Sequence, residues 1–566
     1  MNAPHIPPLR PSLFGLAAFL ALTSTPLLAQ AGGGSETVFH WEGGTEDRTF
    51  GFSSANAGDF DGDSVDDIII GASGSAPSGM VVAGSVYVYS GVDGSELFHW
   101  DGPVAWHGLG SAVASAGDVN GDGIEDVLVG ARAADPGGMQ SAGCAYLYSG
   151  MTGALLFQWN GTSANDHLGC SVSSAGDLNL DGYLDVLVGA DYSSPGGLSF
   201  SGSIFAYSGF DGSELFRIDG TKLWAEAGSE VESIEDVNAD GIPDILSGGN
   251  RFAAIYSGAD GSMIHDLNLG NWGSNFGQAV AVIGDVNQDG MKDVAVGAHR
   301  EIRFGVRNVG SVRVFSGMDG SLLYRISGNH KNDRFGHSIS GVEDQNGDGT
   351  PDFVVGAIQQ NLFGPEASGR VGLYSGVDGS LLQGWSGVEA GSEFGYYVSK
   401  MSDLNQDGRA EILVGAPSRT IAGTGSVGTV DVLSFDPYAT ISSSTVSASG
   451  GGTVFLDIDF PITSALMEYR TLLSAHGTVP TQFGIAIPLT RDAIMEQSYL
   501  GNYPVASSTN LQGTLDAFGD GVASFTVAPG QPAGLVGNTI WVAVISNPVG
   551  QQPAISSIAM PVTVTP

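Results

Sequence analysis

Seven nine-residue segments rich in aspartate carry side chains of the types that bind metal ions in proteins. Each segment places acids at positions 1, 5 and 9 and an amide or acid at position 3, as in DVNGDGIED from Asp118. Oxygen ligands at alternating positions of a tightly curving backbone can converge on one hard cation, and calcium accepts six to eight of them. Aspartate, asparagine and glycine also form turns, but a turn does not need three carboxylates that repel one another. The segments therefore predict calcium loops, with up to seven ions, one per loop.

The candidate ligands, numbered by loop along the chain, occupy positions 1, 3, 5 and 9. They are Asp59, Asp61, Asp63, Asp67; Asp118, Asn120, Asp122, Asp126; Asp177, Asn179, Asp181, Asp185; Asp236, Asn238, Asp240, Asp244; Asp285, Asn287, Asp289, Asp293; Asp344, Asn346, Asp348, Asp352; and Asp403, Asn405, Asp407, Glu411. Six loops have glycine at position 6, which supplies a sharp turn.

Three loops depart from this pattern. Loop one has Ser64 where glycine is expected and Asp61 in place of asparagine, and loop seven ends in Glu411. Loop four keeps its ligands, but Ile234-Glu235 replaces the usual Ala-Gly before it. We expect loops one, four and seven to be the weakest sites.

A repeat of about 59 residues positions these loops. The segments begin 59, 59, 59, 49, 59 and 59 residues apart. Within a period, a Phe-Gly or Leu-Gly pair opens one strand and the loop leads to an apolar second strand ending in Gly-Ala. A third strand and an Asp-Gly hairpin into a fourth strand follow, since Asp-Gly tolerates the positive φ of such turns. Four antiparallel strands repeated around an axis form a β-propeller blade.

The two ends of the repeat region predict how the ring closes. Residues 36–43 copy the fourth-strand segment 96–102, and the last repeat stops after its third strand. The N-terminal strand should therefore complete the last blade, which removes a free sheet edge. The sequence predicts an all-β fold, a seven-bladed β-propeller over 36–435, followed by a small C-terminal β-sandwich domain over 436–566.

The N-terminal segment 1–31 is interpreted as a signal peptide. An apolar run from Leu13 to Leu22 precedes the small-x-small pattern Ala29-Gln30-Ala31. A run of about ten residues is too short to span a bilayer, which needs about twenty. We therefore expect a protein that is secreted, extracellular or held at the cell surface, with no membrane span.

Charge and cysteine content narrow the possible partners. The formal net charge of −40 excludes nucleic acid as a partner by repulsion, and seven calcium ions would reduce it to −26. The two cysteines, Cys144 and Cys170, are too few for a disulfide framework, and whether they pair is open. We expect a monomer.

The Phe-Gly opening, the DxNxDG loop and the Gly-Ala close resemble the FG-GAP repeats of the α-integrin propeller and its bacterial relatives. The resemblance covers about residues 36–435. It implies calcium in the loops between the first and second strands and a partner-binding face at the other end of the blades. On that face lie Trp106, His107, Trp224, Trp272 and His330, which could bind a partner or pack between blades.

Two functions are compatible with these features. The first is a non-catalytic extracellular recognition or adhesion scaffold for a protein or glycan ligand. The alternative is a hydrolase or lyase acting on extracellular polysaccharide, because propellers host both. An enzyme should show polar residues that break the repeat near the axis, and the candidates are Arg251, His299, Arg300, Arg303, Arg307 and His330. No catalytic signature stands out, so no catalytic residue is assigned.

Overall fold

The computed structural model describes residues 37–267, 275–303, 305–359, 368–421 and 425–435, and between residues 439 and 565 it describes the course of the strands alone. The described part up to residue 435 contains seven four-stranded antiparallel sheets. The prediction of a seven-bladed β-propeller is confirmed. Blades one to seven are numbered by the metal loop that each contains.

Each blade has the same order of strands, from the innermost first strand to the outermost fourth. The first strands are Phe50–Gly58, Ala112–Gly117, Leu168–Gly176, Glu230–Ile234, Phe276–Gly284, Phe335–Val342 and Tyr397–Lys400. The second strands are Asp67–Ala72, Asp126–Ala131, Asp185–Ala190, Asp244–Gly249, Asp293–Ala298, Asp352–Ala357 and Ile412–Ala416. The third strands are Ser85–Tyr89, Cys144–Tyr148, Ser203–Tyr207, Phe252–Tyr256, Ser311–Phe315, Arg370–Tyr374 and Thr429–Leu433. The fourth strands are Glu96–Asp101, Leu155–Asn160, Glu214–Asp219, Met263–Asp266, Leu322–Ser327, Leu381–Ser386 and, from the N-terminus, Thr37–Glu42.

The connections contain little other regular structure. Single 3₁₀ turns lie in the loops after the second strands of blades one to three, at Pro77–Gly79, Pro136–Gly138 and Pro195–Gly197. A two-residue hairpin joins Thr420–Ile421 to Gly425–Ser426 in blade seven. The described residues contain no α-helix, and hence no helix long and apolar enough to cross a membrane.

The N-terminal strand closes the ring, as the sequence predicted. Thr37–Glu42 pairs antiparallel with Thr429–Leu433, the third strand of blade seven. Phe50, Ile68 and Val430 are buried together in the apolar cluster between blades one and seven. The first and last repeats are thereby joined through both hydrogen bonds and core packing.

The hydrophobic core lies between neighbouring blades. For example, Ile69 and Val88 of blade one pack with Val127 and Val129 of blade two, and all four are buried. Burying one such side chain is worth about 1.5–3 kcal/mol. Because each blade covers its neighbour's face, the ring is stabilised as a whole.

Two repeated motifs fasten one blade to the next. The first is a parallel β-bridge between two neighbouring blades. It joins the first residue of the Phe-Gly or Leu-Gly pair to a glycine just before the third strand of the preceding blade, as Leu109 is joined to Gly84. In blade four the pair is Ala227-Gly228, and the bridge is kept. The fourth-strand tryptophans Trp41, Trp100 and Trp159 donate to the hairpin of the next blade, as Trp100 Nε1 does to the Gly153 carbonyl at 3.0 Å.

The pairs do not all open a strand in the predicted way. In blades two and seven the first strand begins later, at Ala112 and Tyr397, because the preceding residues make bridging contacts rather than ladder pairs. The Asp-Gly hairpins behave as predicted, with Gly94, Gly212 and Gly320 at φ of 72°, 73° and 70°.

Two predicted domains fall mainly outside the described residues. The signal peptide over 1–31 lies entirely outside them. In the tail, strands occupy Ala439–Ile441, Thr445–Ser447, Gly452–Asp459, Glu468–Ser474, Thr481–Gln482, Ala486–Ile487, Ser507–Thr509, Gln512–Thr514, Asp520–Val527, Thr539–Asn547, Ile555–Ser556 and Met560–Thr565. They pair into a four-stranded, a six-stranded and a two-stranded sheet, and the β-sandwich domain over 436–566 stays a prediction.

Candidate functional site

The seven metal loops share one backbone conformation. In loop three the Asp177 carboxylate accepts the amides of Asp181 and Gly182 at 3.1 and 2.9 Å, and Asn179 Oδ1 accepts the Asp181 amide at 2.9 Å. The carboxylate at position 1 accepts the amide at position 6 in all seven loops. The backbone therefore curls around the side chains of positions 1, 3 and 5.

Positions 4 and 6 of every loop have positive φ. The position-6 glycines range from 85° at Gly349 to 95° at Gly290, as the sequence predicted, and Ser64 adopts 74° in loop one. The left-handed conformation at position 4 was not predicted. In three loops the sequence hints at this conformation, because position 4 is a glycine: Gly62, Gly121 and Gly347. The other four loops have larger residues there, at φ of about 60°.

The acid at position 9 is not a loop residue in six blades but the first residue of the second strand, and it is buried. Asp67 Oδ2 accepts the Phe60 amide at 2.8 Å, and its Oδ1 accepts the Gly91 amide at 3.0 Å. Burial raises the pKa of Asp67, Asp126 and Asp293 to about 6, although the backbone amides oppose this shift. The pKa of the position-9 acid is raised in the other four blades as well. In every blade, the negative charge at this position is costly unless a cation lies next to it.

A Ser-Gly pair after the third strand completes six of the seven sites, and sequence reasoning missed it. The glycine amide donates to the position-9 aspartate, as Gly317 does to Asp293 Oδ1 at 3.1 Å. The serine approaches the position-5 aspartate, as Ser316 Oγ does Asp289 Oδ2 at 2.9 Å. A Cβ on Gly317 would lie 2.0 Å from the Lys292 carbonyl oxygen, so no other residue fits. In five blades the serine lies 31 residues and the glycine 32 residues after the first aspartate of the loop, and this recurrence is the sequence signal that could have identified the pair.

Blade seven uses a different solution. Phe435 stands where the other blades have this glycine, and the position-9 acid is Glu411. Glu411 accepts the Leu404 amide at 2.7 Å, and burial raises its pKa to about 7. The longer acid and the loss of glycine therefore occur together.

The densest set of acids lies in loop one. Carboxylate oxygens of Asp59, Asp61 and Asp67 lie within 4.8 Å of one another, the one such cluster of three among the described residues. The pKa of Asp61 is raised, mainly by partial desolvation and to a smaller extent by the negative charge of Asp63. The donors are all carboxylate oxygens, which suit a hard divalent cation such as calcium. Loop one is thus rich in ligands, and the lower affinity expected of loops one, four and seven stays a prediction.

The opposite end of the blades carries the loops that follow the second and fourth strands, because the strands are antiparallel. Trp106 and Trp224 lie there and are 62% and 51% exposed. His107 is 8% exposed and its Nε2 lies 3.1 Å from the Tyr146 hydroxyl, so it packs between blades. His330 is exposed beside Asp333. Trp272 lies outside the described residues.

A cavity of about 280 Å³ lies where the first strands of all seven blades meet, and we call it the axial cavity. Of the residues proposed as repeat-breaking, His299 lines it and Arg300 follows in the chain. Arg303 bridges to Val306 within its own loop, and Arg251 lies in the tight turn of blade four at φ 65°. The structure therefore does not gather the six predicted residues into one site.

The two cysteines are separate in this structure. Cys144 Sγ contacts Asn160 Oδ1 in blade two, whereas Cys170 Sγ contacts the Gly228 carbonyl beside the axial cavity. Both thiols have raised pKa values because they are buried. They are weak nucleophiles for that reason.

Family models match the repeats found above. The FG-GAP repeat matches residues 50–89, 171–207, 276–315 and 395–433, and the FG-GAP-like repeat matches residues 118–188. The propeller is built from FG-GAP repeats.

Curated relatives of this chain include integrin α chains. Integrin alpha-5 of Xenopus laevis is 29% identical over 223 residues, which are 36% of this chain and 20% of the relative. Integrin alpha-V of Gallus gallus is 29% identical over 221 residues, again 36% and 20%. Integrin alpha pat-2 of Caenorhabditis elegans is 31% identical over 223 residues, 35% and 18%. The matched region thus spans about a fifth of each relative, and over it this FG-GAP propeller is integrin-α-like.

A solved structure of BBS1N in complex with ARL6DN is similar at a TM-score of 0.40 and 9% identity, covering 66% of this chain and 90% of that one. Similarity at this level does not bear on function.

Proposed function

We propose that this chain is a secreted, calcium-binding FG-GAP propeller that acts outside the cell as a recognition or adhesion scaffold. An integrin-α-like FG-GAP propeller fits an extracellular recognition scaffold. The observation that carries the metal proposal is the shared geometry of the loops, in which the backbone curls around the acids of positions 1 and 5 next to a buried acid at position 9. Burial raises the pKa of that acid in all seven blades. A bound cation offsets the cost of that charge and of the neighbouring carboxylates.

Calcium fits these loops better than magnesium. The loops offer side-chain oxygens from four positions together with a curled backbone, and calcium tolerates such irregular sets of six to eight oxygens. Magnesium demands a near-ideal octahedron and keeps several waters. We assign up to seven ions, one in each loop, to the ligands named above.

The proposed role of the ions is to stiffen the ring rather than to contact the partner. The metal loops and the exposed Trp106 and Trp224 lie at opposite ends of the blades. Exposed aromatic side chains cluster at binding sites. The partner is proposed to be an extracellular protein or glycan that binds a monomer at the end away from the metal.

Equilibrium dialysis with radioactive calcium tests the metal assignment. Asp122→Asn in loop two should reduce the number of bound ions by one because it removes a charged ligand. Asp93→Asn is the matched control, since Asp93 is an exposed aspartate of an Asp-Gly hairpin that accepts hydrogen bonds from Ser95 and is not a predicted ligand. Equal loss of calcium in the two variants, or no loss in either, would contradict the assignment.

A glycan and protein array probed with the calcium-loaded protein tests the recognition role. Binding to at least one class of ligand is expected. If no ligand of either class is bound, the recognition proposal fails. If bound polysaccharide is cleaved, with release of new reducing ends, an enzyme replaces the scaffold.

A further inference from the structure

The residue after the Phe-Gly pair, or after its Leu-Gly or Ala-Gly counterpart, lines the axial cavity in all seven blades and is of six different types. In chain order these residues are Phe52, Ser111, Cys170, Ser229, Gln278, His337 and Tyr396. The small serines of blades two and four show that the fold itself needs no large side chain here. Four blades carry a larger side chain at this position, Phe52, Gln278, His337 and Tyr396, so the fold leaves its size and polarity free to vary.

His299 is a buried polar side chain that faces this cavity without a partner. It is 6% exposed, and its Nδ1 has no hydrogen-bond partner within the described structure. Its ring centroid lies 5.2 Å from that of His337, whose centroid lies 4.8 Å from that of Tyr396. A buried, unsatisfied polar atom costs about 1–3 kcal/mol, so it indicates a missing ligand.

Three arginines without an ion pair lie at or near the cavity, one in its lining and two close to the histidines. The Arg132 guanidinium lines the cavity with Cζ 5.7 Å from the Phe52 ring centroid, and Arg300 and Arg334 lie near His299 and His337. None of the three guanidinium groups forms an ion pair in the part of the chain that the structure describes, and Arg334 Nε is buried without a hydrogen bond. Acids outnumber bases by 60 to 20 in this chain. Three unpaired arginines at one mouth therefore indicate an anionic ligand.

The two imidazoles do not add to this positive charge. Burial lowers the pKa of His299 to about 3, and the neighbouring His337, Arg300 and Arg334 lower it further. Burial likewise lowers the pKa of His337 to about 4. Both rings are neutral at physiological pH. His337 Nδ1 donates to the Tyr396 carbonyl oxygen at 3.2 Å, which leaves its Nε2 as an acceptor, whereas His299 can donate one hydrogen bond and accept another.

Acceptors on the other wall narrow the ligand class. Asp191 and Glu230 also line the cavity, and the Glu230 carboxyl makes no hydrogen bond to the described residues. A peptide carboxylate only accepts hydrogen bonds, so it cannot satisfy the acceptor oxygens of Asp191 and Glu230, the second of which is largely neutral at physiological pH because burial raises its pKa to about 8. A sugar that carries a carboxylate also presents hydroxyl groups, which donate to acids, and C–H faces that stack on rings such as Phe52 and Tyr396. The cavity volume suits one such ring.

We propose that the axial cavity binds a hexuronic acid unit of an acidic glycan, its carboxylate against Arg132, Arg300 and Arg334 and its hydroxyls against Asp191 and Glu230. This inference rests on the proposed recognition function and adds the site and the ligand class. The ligand enters from the end of the ring opposite the metal loops, where the second strands end.

Isothermal titration calorimetry on the full-length, calcium-loaded protein tests the proposal. The probes are a panel of hexuronate trisaccharides, their neutral hexose counterparts and triglutamate. We expect one or more hexuronate trisaccharides to bind, and the neutral sugars and the peptide to bind at least tenfold more weakly. Arg132→Gln and Arg300→Gln should each weaken hexuronate binding by roughly 10- to 100-fold, the value of a charge-assisted hydrogen bond.

Arg48→Gln is the matched control. Arg48 is an exposed arginine at the same end of the ring, outside the axial cavity, and its replacement should leave affinity unchanged. An unchanged melting temperature in the variants shows that they are folded, since these side chains lie at the surface. Equal binding of triglutamate or of the neutral sugars overturns the proposal, and so does an equal loss of affinity in Arg48→Gln.

The glycan and protein array distinguishes failure of the axial site from failure of the recognition function. A protein that binds a neutral glycan or a protein ligand, but no hexuronate, overturns the axial site and leaves the recognition function standing. A protein that binds nothing overturns both.

Discussion

Replacing Gly317 by alanine should destabilise blade five and its calcium site together. Gly317 follows the third strand, and its amide donates to Asp293 Oδ1 at 3.1 Å. An alanine Cβ would lie 2.0 Å from the backbone oxygen of Lys292, which cannot turn away as a flexible side chain could. The clash must move the Gly317 amide away from the buried carboxylate.

The expected cost follows from two terms. Overpacking of a tight site costs about 1–3 kcal/mol, and weakening a hydrogen bond to a charged group costs about 1.5–3 kcal/mol. The sum is about 4 kcal/mol. With an unfolding entropy of about 2.1 cal/mol/K per residue over roughly 400 propeller residues, the melting temperature should fall by about 5 °C.

Calorimetric melting and calcium counting measure the effect, with Gly196→Ala as the control. Gly196 also lies in a loop, at φ 62°, but a Cβ there meets nothing within 4 Å. Its replacement should cost only about 1 kcal/mol of backbone strain and no calcium. If Gly317→Ala were as stable as Gly196→Ala and bound as many ions, the proposed coupling between this glycine and the position-9 acid would be refuted.

Three further substitutions test other parts of the molecule. Glu411→Asp should lower the melting temperature, because Glu411 lies before the second strand of blade seven and a shorter side chain there draws the carboxylate away from the Leu404 amide; an unchanged value would show that the glutamate is not needed. Trp159→Phe should cost about 1 kcal/mol in urea unfolding, since it removes the 2.8 Å hydrogen bond to the Gly212 carbonyl that fastens blade three to its neighbour. Glu230→Gln should stabilise the protein increasingly between pH 4.5 and pH 8 and leave it unchanged at pH 4. Burial raises the folded pKa of Glu230 to about 8, so the folded state resists an ionisation that the unfolded chain undergoes near 4.5. A stability gain that does not grow with pH would contradict this assignment.

The sequence was enough to predict the ring because each repeat contains clear signals for where its strands begin and end. The Asp-Gly hairpins and the apolar second strands give the four strands of a blade, and the unpaired N-terminal copy of a fourth strand gives the closure. These features are local or are visible by comparing one repeat with another. The same comparison identified the aspartate-rich loops, whose metal binding stays a prediction, and the glycine at position 6.

Contacts between distant strands could not be predicted in the same way. The acid at position 9 belongs to the second strand, and its partner Gly91 lies 24 residues beyond Asp67 in the chain. That pairing depends on how the third strand ends beside the loop. The axial cavity depends on the whole ring, since it brings together His299 and Arg132 from blades that are not neighbours. Local patterns contain no signal for such contacts, whereas the variable residue after each Phe-Gly pair was a signal that remained unused.

The central claim is that cations in the seven loops hold the ring together, and melting with and without calcium tests it most directly. At a calcium concentration of 100 times the dissociation constant, each filled site adds about 2.7 kcal/mol. The four loops that keep the full pattern then contribute about 11 kcal/mol, which corresponds to more than 10 °C over roughly 400 residues. We predict a fall of at least that size when a chelator replaces calcium at pH 7.5, and recovery when calcium is restored. A melting temperature that does not change with the chelator would contradict the account.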